Sequence, residues 1–479
     1  MSKVNRRNFM AGSAMSFAGA TGMLGKLAGS NAWAANVTSP YKALVCVYLG
    51  GGMDHADTII PKDQESYNKL RSARRELLEK HYRIDKADSS RNIKNLLELN
   101  PLNAREFNGR KFGMPPNMSG IRDMFNNGEA AIIGNVGTLI EPTDRESYER
   151  QLVPLPAHLF SHNDQEATWL SLGTEGGTTG WGGLFADKIL DSDPTADPVY
   201  TAITADQNTI FLAGKKARKF RATSQKKLGL SIADRSTYLS KINNDDAVRN
   251  KIEAFFEEND FGHENIFSRD MSNAYANGIQ RSKNYSDTNE RERSVITTKF
   301  PNGKLGQQME TTARTIELRN ALGDYPINRQ VFFVSLGGFD THDEQAGRLP
   351  ELQSEINDSM VAFRSAMEEL GMWEDVTVFT ASDFGRTTTG NGDGTDHGWG
   401  NHHFIMGGSV KGQRVYGELP AYNLNDNMFA VKKGRLIPSL AVEQYAATLG
   451  KWFGLNPEEL NDVFPLLKNF STSDLGFMK

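Results

Sequence analysis

The sequence predicts an α/β protein with a mostly parallel central sheet and helices on both faces. Short apolar runs rich in branched and aromatic residues recur at 43–49, 130–136, 209–213, 330–336, 376–381 and 403–406, and runs of this length and composition read as buried strands. Between the fourth and fifth, Leu352, Ile356, Met360, Phe363, Met367 and Leu370 recur at helical spacing, and Gly371 closes the pattern. Strand, helix and strand in so short a stretch form a βαβ unit, which requires parallel pairing. Polar, glycine-rich motifs cluster at the ends of these runs, where α/β proteins bind their ligands.

Taken in order, the chain opens with an address. Arg6 and Arg7 precede Asn8, Phe9 and Met10; a weakly apolar, Ala- and Gly-rich stretch follows over 10–25, then Lys26 and Ala32-Trp33-Ala34. This is the pattern of a twin-arginine signal peptide over residues 1–34, with the mature chain starting near Ala35. The apolar stretch is shorter than the ~20 residues a membrane span needs. No later run is apolar enough, so no stable span is expected after cleavage. The expected partner is the twin-arginine export machinery, and the expected location is the periplasm or another site outside the cytoplasm. That route carries folded cargo, often loaded with a metal, although some cargoes use it because they fold fast or assemble with a partner.

Residues 35–479 form the expected α/β domain. The net charge of −5 and the lack of a basic stripe exclude nucleic acid as a partner. A single cysteine, Cys46, lies in an apolar run and excludes an internal disulfide framework. A second helix is expected over 118–125. From 215 to about 299 the chain is dense in charged and amide side chains but carries Ile252, Phe255, Phe256, Phe261 and Phe267. That composition reads as a polar helical insertion with something to bury rather than a disordered linker.

The chemistry-bearing residues sit at the run ends. The first run leads into Gly50-Gly51-Gly52-Met53-Asp54-His55, the fourth into Gly337-Gly338-Phe339-Asp340-Thr341-His342, and the fifth into Ser382-Asp383-Phe384-Gly385-Arg386. Gly394-Thr395-Asp396-His397-Gly398-Trp399-Gly400-Asn401-His402-His403 leads into the last run, and six of the nine histidines lie in these motifs or in Ser161-His162. Carboxylates gathered on one edge resist ionising together, and a divalent cation removes that cost. Carboxylate plus imidazole favours zinc, with manganese or calcium as alternatives. Any one of these aspartates has a plainer reading as a turn or helix cap. Ser161 is the candidate nucleophile: it N-caps a helix starting at His162, where free N–H groups and the helix dipole favour an alkoxide and an incoming anion. A plain cap is its alternative role. Arg386 reads either as a bidentate clamp for an anionic group or as the partner of a structural carboxylate.

Tyr48-Leu49-Gly50-Gly51-Gly52-Met53-Asp54, Ser161-His162, Thr179-Gly180-Trp181, Gly338-Phe339-Asp340-Thr341-His342, Ser382-Asp383-Phe384-Gly385-Arg386-Thr387 and Gly394-Thr395-Asp396-His397-Gly398 occur in an order that resembles the exported family called domain of unknown function 1501. That family is grouped with the alkaline phosphatase and sulfatase-like superfamily. The resemblance implies an alkaline phosphatase-like fold with a metal site at the strand ends. It implies metal ligation by Asp54, Asp340, His342, Asp383 and His397, with Ser161 as nucleophile. The chain departs from the superfamily in having Asp383-Phe384 where phosphatases usually have Asp-His, and in placing His342 two residues after Asp340 rather than four. A second metal position would be rebuilt from His55, His402 or His403, or would be empty. Ser161-His162-Asn163-Asp164-Gln165 lacks the Pro and Arg of formylglycine sulfatases.

Two functions follow from these readings. One is a metal-dependent hydrolase or transferase acting on a small phosphate or sulfate ester outside the cytoplasm. The other is a non-catalytic binding or assembly protein that keeps the fold with a reduced site. A dinucleotide-dependent redox enzyme is disfavoured, because the glycines after the first run lack the required spacing.

Overall fold

Alternation within the first apolar run sets the layering. Along β1 (Lys42–Gly50), Ala43, Val45, Val47 and Leu49 face one hydrophobic cluster while Leu44, Cys46 and Tyr48 face another. A strand buried on both faces belongs inside a sheet covered by helices on each side. The computed structural model, which describes residues 40–479 apart from 174–175, 208, 224–265 and 431, has this arrangement. The expected signal peptide and the middle of the expected insertion lie outside the described residues.

Further strands follow in chain order: β2 (Ile60–Pro61), β3 (Leu97–Leu99), β4 (Phe112–Met114), β5 (Ala130–Gly137), β6 (Ala202–Thr204), β7 (Phe220–Arg221), β8 (Arg329–Gly337), β9 (Val376–Ala381), β10 (Arg386–Gly390), β11 (Thr395–His397), β12 (Asn401–Met406), β13 (Val415–Gly417) and β14 (Leu440–Ala441). The main sheet has the order β13-β5-β12-β9-β1-β8-β6-β7, with β14 also on β5. β1 runs parallel to β8 on one side and β9 on the other. The exception to parallel pairing is β12, antiparallel to both β5 and β9. β2, β4 and β3 form a small side sheet, and β10 and β11 an antiparallel ribbon.

Helices cover both faces. Ser119–Asn126, Lys304–Glu317 and Gln345–Glu369 bury Ile121, Met309, Ile356, Met360 and Phe363 in the first cluster. Trp181–Ser192 and Val442–Phe453 bury Trp181, Phe185, Tyr445 and Phe453 in the second. The βαβ unit read from the sequence is β8, Gln345–Glu369 and β9. The described end of the polar insertion contains the helix Ile266–Arg291. Among the described residues no helix is long and apolar enough to cross a membrane.

The run at 209–213 is not a strand, and this corrects the sequence reading. Its carbonyls are used elsewhere: Phe211 O accepts from Gly183 N at 2.9 Å and Ala213 O from Gly180 N at 2.8 Å. These N–H groups belong to the start of the helix Trp181–Ser192, which has no preceding turn to satisfy them. Glycine permits the approach, since a Cβ on Gly180 would lie 2.2 Å from Ile210 O. On that side of the sheet the strand beside β8 is β6, and β7 forms the edge.

Below the glycine turn after β1 lies a buried ionic network. Arg74 grips both oxygens of Asp54, at 2.6 and 2.9 Å, and also donates to Thr387 O and Thr388 O. Arg91 Nε donates to Asp57 at 2.5 Å, Tyr82 donates to the other oxygen, and Gln345 Nε2 reaches Asp54 at 2.7 Å and Asp57 at 3.2 Å. Burial by itself would raise the Asp54 carboxyl, but the Arg74 charge and fork hold it below the usual range. Removing one partner of such a pair strands a buried charge. Arg74→Ala is therefore expected to destabilise the fold by about 3–5 kcal/mol, read as a fall in the denaturant midpoint at unchanged slope.

Candidate metal centre

Five motifs distant in the chain meet at one edge of the sheet, and strand direction is the reason. β1, β5, β8 and β9 all point the same way, so the segments after them emerge on the same edge. β12 runs against them, so the segment before it, β11 with His397, arrives at that edge too. The chain after β5 returns there as the helix His162–Ser171.

The donor atoms close on Asp340. His342 Nε2 and His397 Nε2 each lie 3.2 Å from Asp340 Oδ1 and 2.9 Å from one another. His162 Nε2 lies 3.5 Å from Asp340 Oδ2, is buried, and has no hydrogen-bond partner. A tetrahedral zinc ion with bonds of 2.0–2.1 Å would separate its ligands by roughly 3.3–3.4 Å, close to these spacings. Donor atoms of His162, Asp340 and His397 all fall within 4.8 Å of one another, so this trio can hold a metal ion, with His342 beside it.

Each imidazole of the trio is oriented from behind. His162 Nδ1 donates to Asp383 Oδ2 at 2.5 Å, and His397 Nδ1 donates to Phe160 O at 2.7 Å. With the proton fixed on Nδ1, both Nε2 lone pairs face Asp340, the arrangement that metal-binding histidines use. Asp383 is itself held by Gly51 N, at 3.0 and 3.2 Å to its two oxygens. At Gly51 φ is +113°, and a Cβ would lie 2.3 Å from Asp340 N, so only glycine lets this turn pass between the two aspartates.

Arg386 is fully buried, and its donors are spent on the protein: Asp340 Oδ1 at 2.7 Å, Gly51 O at 3.2 Å, and Thr395 through both its hydroxyl and its carbonyl. In this arrangement it fixes Asp340 rather than offering an open fork. Asp340 feels burial pushing its pKa up, but the Arg386 hydrogen bond and charge carry it below the ordinary value. The Asp383 hydrogen bond outweighs burial and raises His162, whereas burial lowers His397. The cluster is open to solvent at Asp340 and His342, whose side chains are 43% and 44% exposed, so a ligand can reach it there.

Of the residues singled out from sequence, Asp340, His342 and His397 come together as donors. Asp383 stands behind His162, and Asp54 is kept apart in the Arg74 network. Ser161 caps its helix at the cluster's margin, with its hydroxyl donating to Asp164 Oδ2 at 2.7 Å. His162 is the donor that sequence reasoning missed; its signal was adjacency to Ser161 at a helix start. His55, His402 and His403 are buried elsewhere. His402 Nδ1 accepts from Asn135 N at 3.0 Å, which puts its proton on Nε2 and leaves no lone pair for a cation. Burial pushes His403 down to about 3 and His55 to about 4, so both are neutral at ordinary pH.

Over residues 41–461 the chain matches the family described as "Protein of unknown function (DUF1501)", and it belongs to that family. No curated protein matches. Among solved structures it is similar to the C-terminal periplasmic domain of EcEptC from Escherichia coli in complex with Zn, at 9% identity and TM-score 0.33, covering 88% of this chain and 84% of that one. It is also similar to the lipoteichoic acid synthase LtaP from Listeria monocytogenes, at 10% identity and TM-score 0.27, covering 83% and 74%. A third is wild-type alkaline phosphatase PafA, at 11% identity and TM-score 0.25, covering 73% and 64%. These neighbours have sulfatase and alkaline phosphatase-like folds; likenesses of this size say nothing of chemistry.

In metal-free protein, the His162 titration is expected to have its midpoint above the ordinary 6.5, and Asp383→Asn is expected to bring it down. Because the folded-state pKa is raised, the stabilisation is complete below the unfolded value and is lost as pH rises through the folded one. Histidine-selective NMR of the two proteins checks this; an unmoved midpoint in the variant refutes the Asp383 contact.

Proposed function

We propose that this protein is a metal-dependent hydrolase or transferase acting on a small phosphate or sulfate ester. The carrying observation is the convergence of imidazole Nε2 atoms on Asp340 with their Nδ1 protons already assigned to acceptors. The donors are rich in nitrogen, which favours zinc; manganese, which prefers oxygen donors, suits them less well, and calcium, which takes six to eight oxygens, suits them poorly. His162, Asp340 and His397 would hold the ion, with His342 as a further ligand. Bound there, it would polarise an ester oxygen and lower the pKa of a neighbouring hydroxyl.

The chain's own residues supply the remainder. Ser161 Oγ would attack the phosphorus or sulfur as the bond to the ester oxygen breaks. Asp164 would take the hydroxyl proton, the alcohol would leave after gaining a proton from solvent, and the N–H groups of the first turn of His162–Ser171 would bind the anionic group. Arg386 holds Asp340 in place from the interior. Export by the twin-arginine route rests on Arg6, Arg7 and the Ala32-Trp33-Ala34 pattern. The reading of a binding or assembly protein with a reduced site draws on two observations: Arg386 has no free fork, and Asp54 is engaged by Arg74.

Protein purified without chelator is expected to carry a single zinc or manganese ion per chain by elemental analysis. Asp340→Ala and His397→Ala should abolish it, whereas Asp54→Asn should keep it while losing stability. Full metal retention in the first two would refute the site. In a screen of aryl phosphates, phosphodiesters and sulfates, Asp164→Asn is expected to lower kcat by about 10²–10⁴-fold, the usual size of a general-base contribution. Absence of turnover on every substrate, with the metal present, would favour the binding reading.

A further inference from the structure

Phe160 has an unusual backbone. It is one of the non-glycine residues with positive φ, at 74°, a conformation costly for a bulky side chain. Such strain persists only where the surroundings over-determine it, and it clusters at functional sites. Here the neighbours are identifiable. The Phe160 carbonyl accepts the Nδ1 proton of His397 at 2.7 Å, and the next two residues are Ser161 and His162. Its ring lies under the Arg435 guanidinium, 4.0 Å from the centroid. Arg435 Nε in turn donates to His397 O at 2.8 Å.

These contacts close a loop. Arg435 grips the backbone of His397 and the ring of Phe160, while Phe160 grips the imidazole of His397. We infer that Arg435 and Phe160 form a positioning clamp that fixes the tautomer and orientation of His397, and with it the start of the helix that carries Ser161 and His162. Three features support this. The stack is a planar cation on an aromatic face, partly shielded from water, where it is strongest. The carbonyl of a residue in the left-handed region points away from the direction it would take in a continuous strand or helix, which frees it for the imidazole. A proton held on His397 Nδ1 leaves only Nε2 to face Asp340. The inference rests on the proposed metal site for its consequence, though its structural content stands without a metal.

Arg435→Gln removes the cation, and Phe160→Leu removes the ring while keeping an apolar side chain of similar bulk; the second variant covers the case in which the first does not fold. The first measurement is made on metal-free, histidine-labelled protein, where ring-nitrogen NMR reads the tautomer of His397. The wild-type chain is expected to show the Nδ1–H form, and a folded variant a mixture. Zinc titration is then expected to show about 10–100-fold weaker binding in the variant, the size found when a partner behind a metal-bound histidine is lost. Arg435→Lys, which keeps a charge over the ring without the planar fork, should recover part of it. Retention of the Nδ1–H form in both Arg435→Gln and Phe160→Leu would overturn the clamp. Failure of the wild-type chain to bind zinc would instead overturn the metal reading, because the tautomer measurement needs no ion.

Discussion

The architecture depends on the parallel pairing of β1 between β8 and β9. That register sets Gly50 opposite Gly337 and Tyr48 opposite Ala381, so the chain leaves all three strands at nearly the same height. Asp340 and Asp383, which follow β8 and β9, are thereby brought to either side of the glycine turn that follows β1. Gly51 occupies the gap, its N–H on Asp383 and its backbone against Asp340. A slip by one residue would exchange the two hydrophobic faces of β1, which helices cover on both sides.

Around this frame the two aspartates have different tasks. Asp340 projects toward solvent among three imidazoles, with Arg386 behind it. Asp383 is buried and orients His162. The pattern resembles the layered support of metal sites, in which a ligand's far nitrogen is held by a carboxylate or a carbonyl. Phe160, although apolar, supplies that carbonyl for His397.

The interior below the turn is polar and ionic to an unusual degree. Asp54 with Arg74, and Asp57 with Arg91, are held by Gln345 and Gln353 from the long helix that follows β8. Buried pairs of this kind contribute little net stability but penalise any arrangement that separates them. They therefore tie the turn after β1 to the helix that also packs on the sheet, and hold the floor of the candidate site.

How much could be read from sequence differs from element to element. Buried strands announced themselves as apolar runs because a strand with two covered faces carries few polar positions, such as Thr377 and Thr380 in β9; the run at 209–213 has a similar composition but spends its carbonyls on a helix start. Asp340 and His342, and His397 with Asp396, were legible because glycines and imidazoles are concentrated around them. Asp54 carried the same local signature as Asp340, and nothing nearby distinguishes them. Arg74, reached only through folding, claims Asp54, whereas Asp340 meets histidines from other segments. His162 was hidden by its neighbour Ser161, since the direction of a side chain at a helix start depends on the backbone of Phe160. Composition and periodicity are local and determine which segments pair and bury. Which carboxylate meets which cation or imidazole depends on strand direction, above all on β12 running against the others, and on contacts hundreds of residues apart.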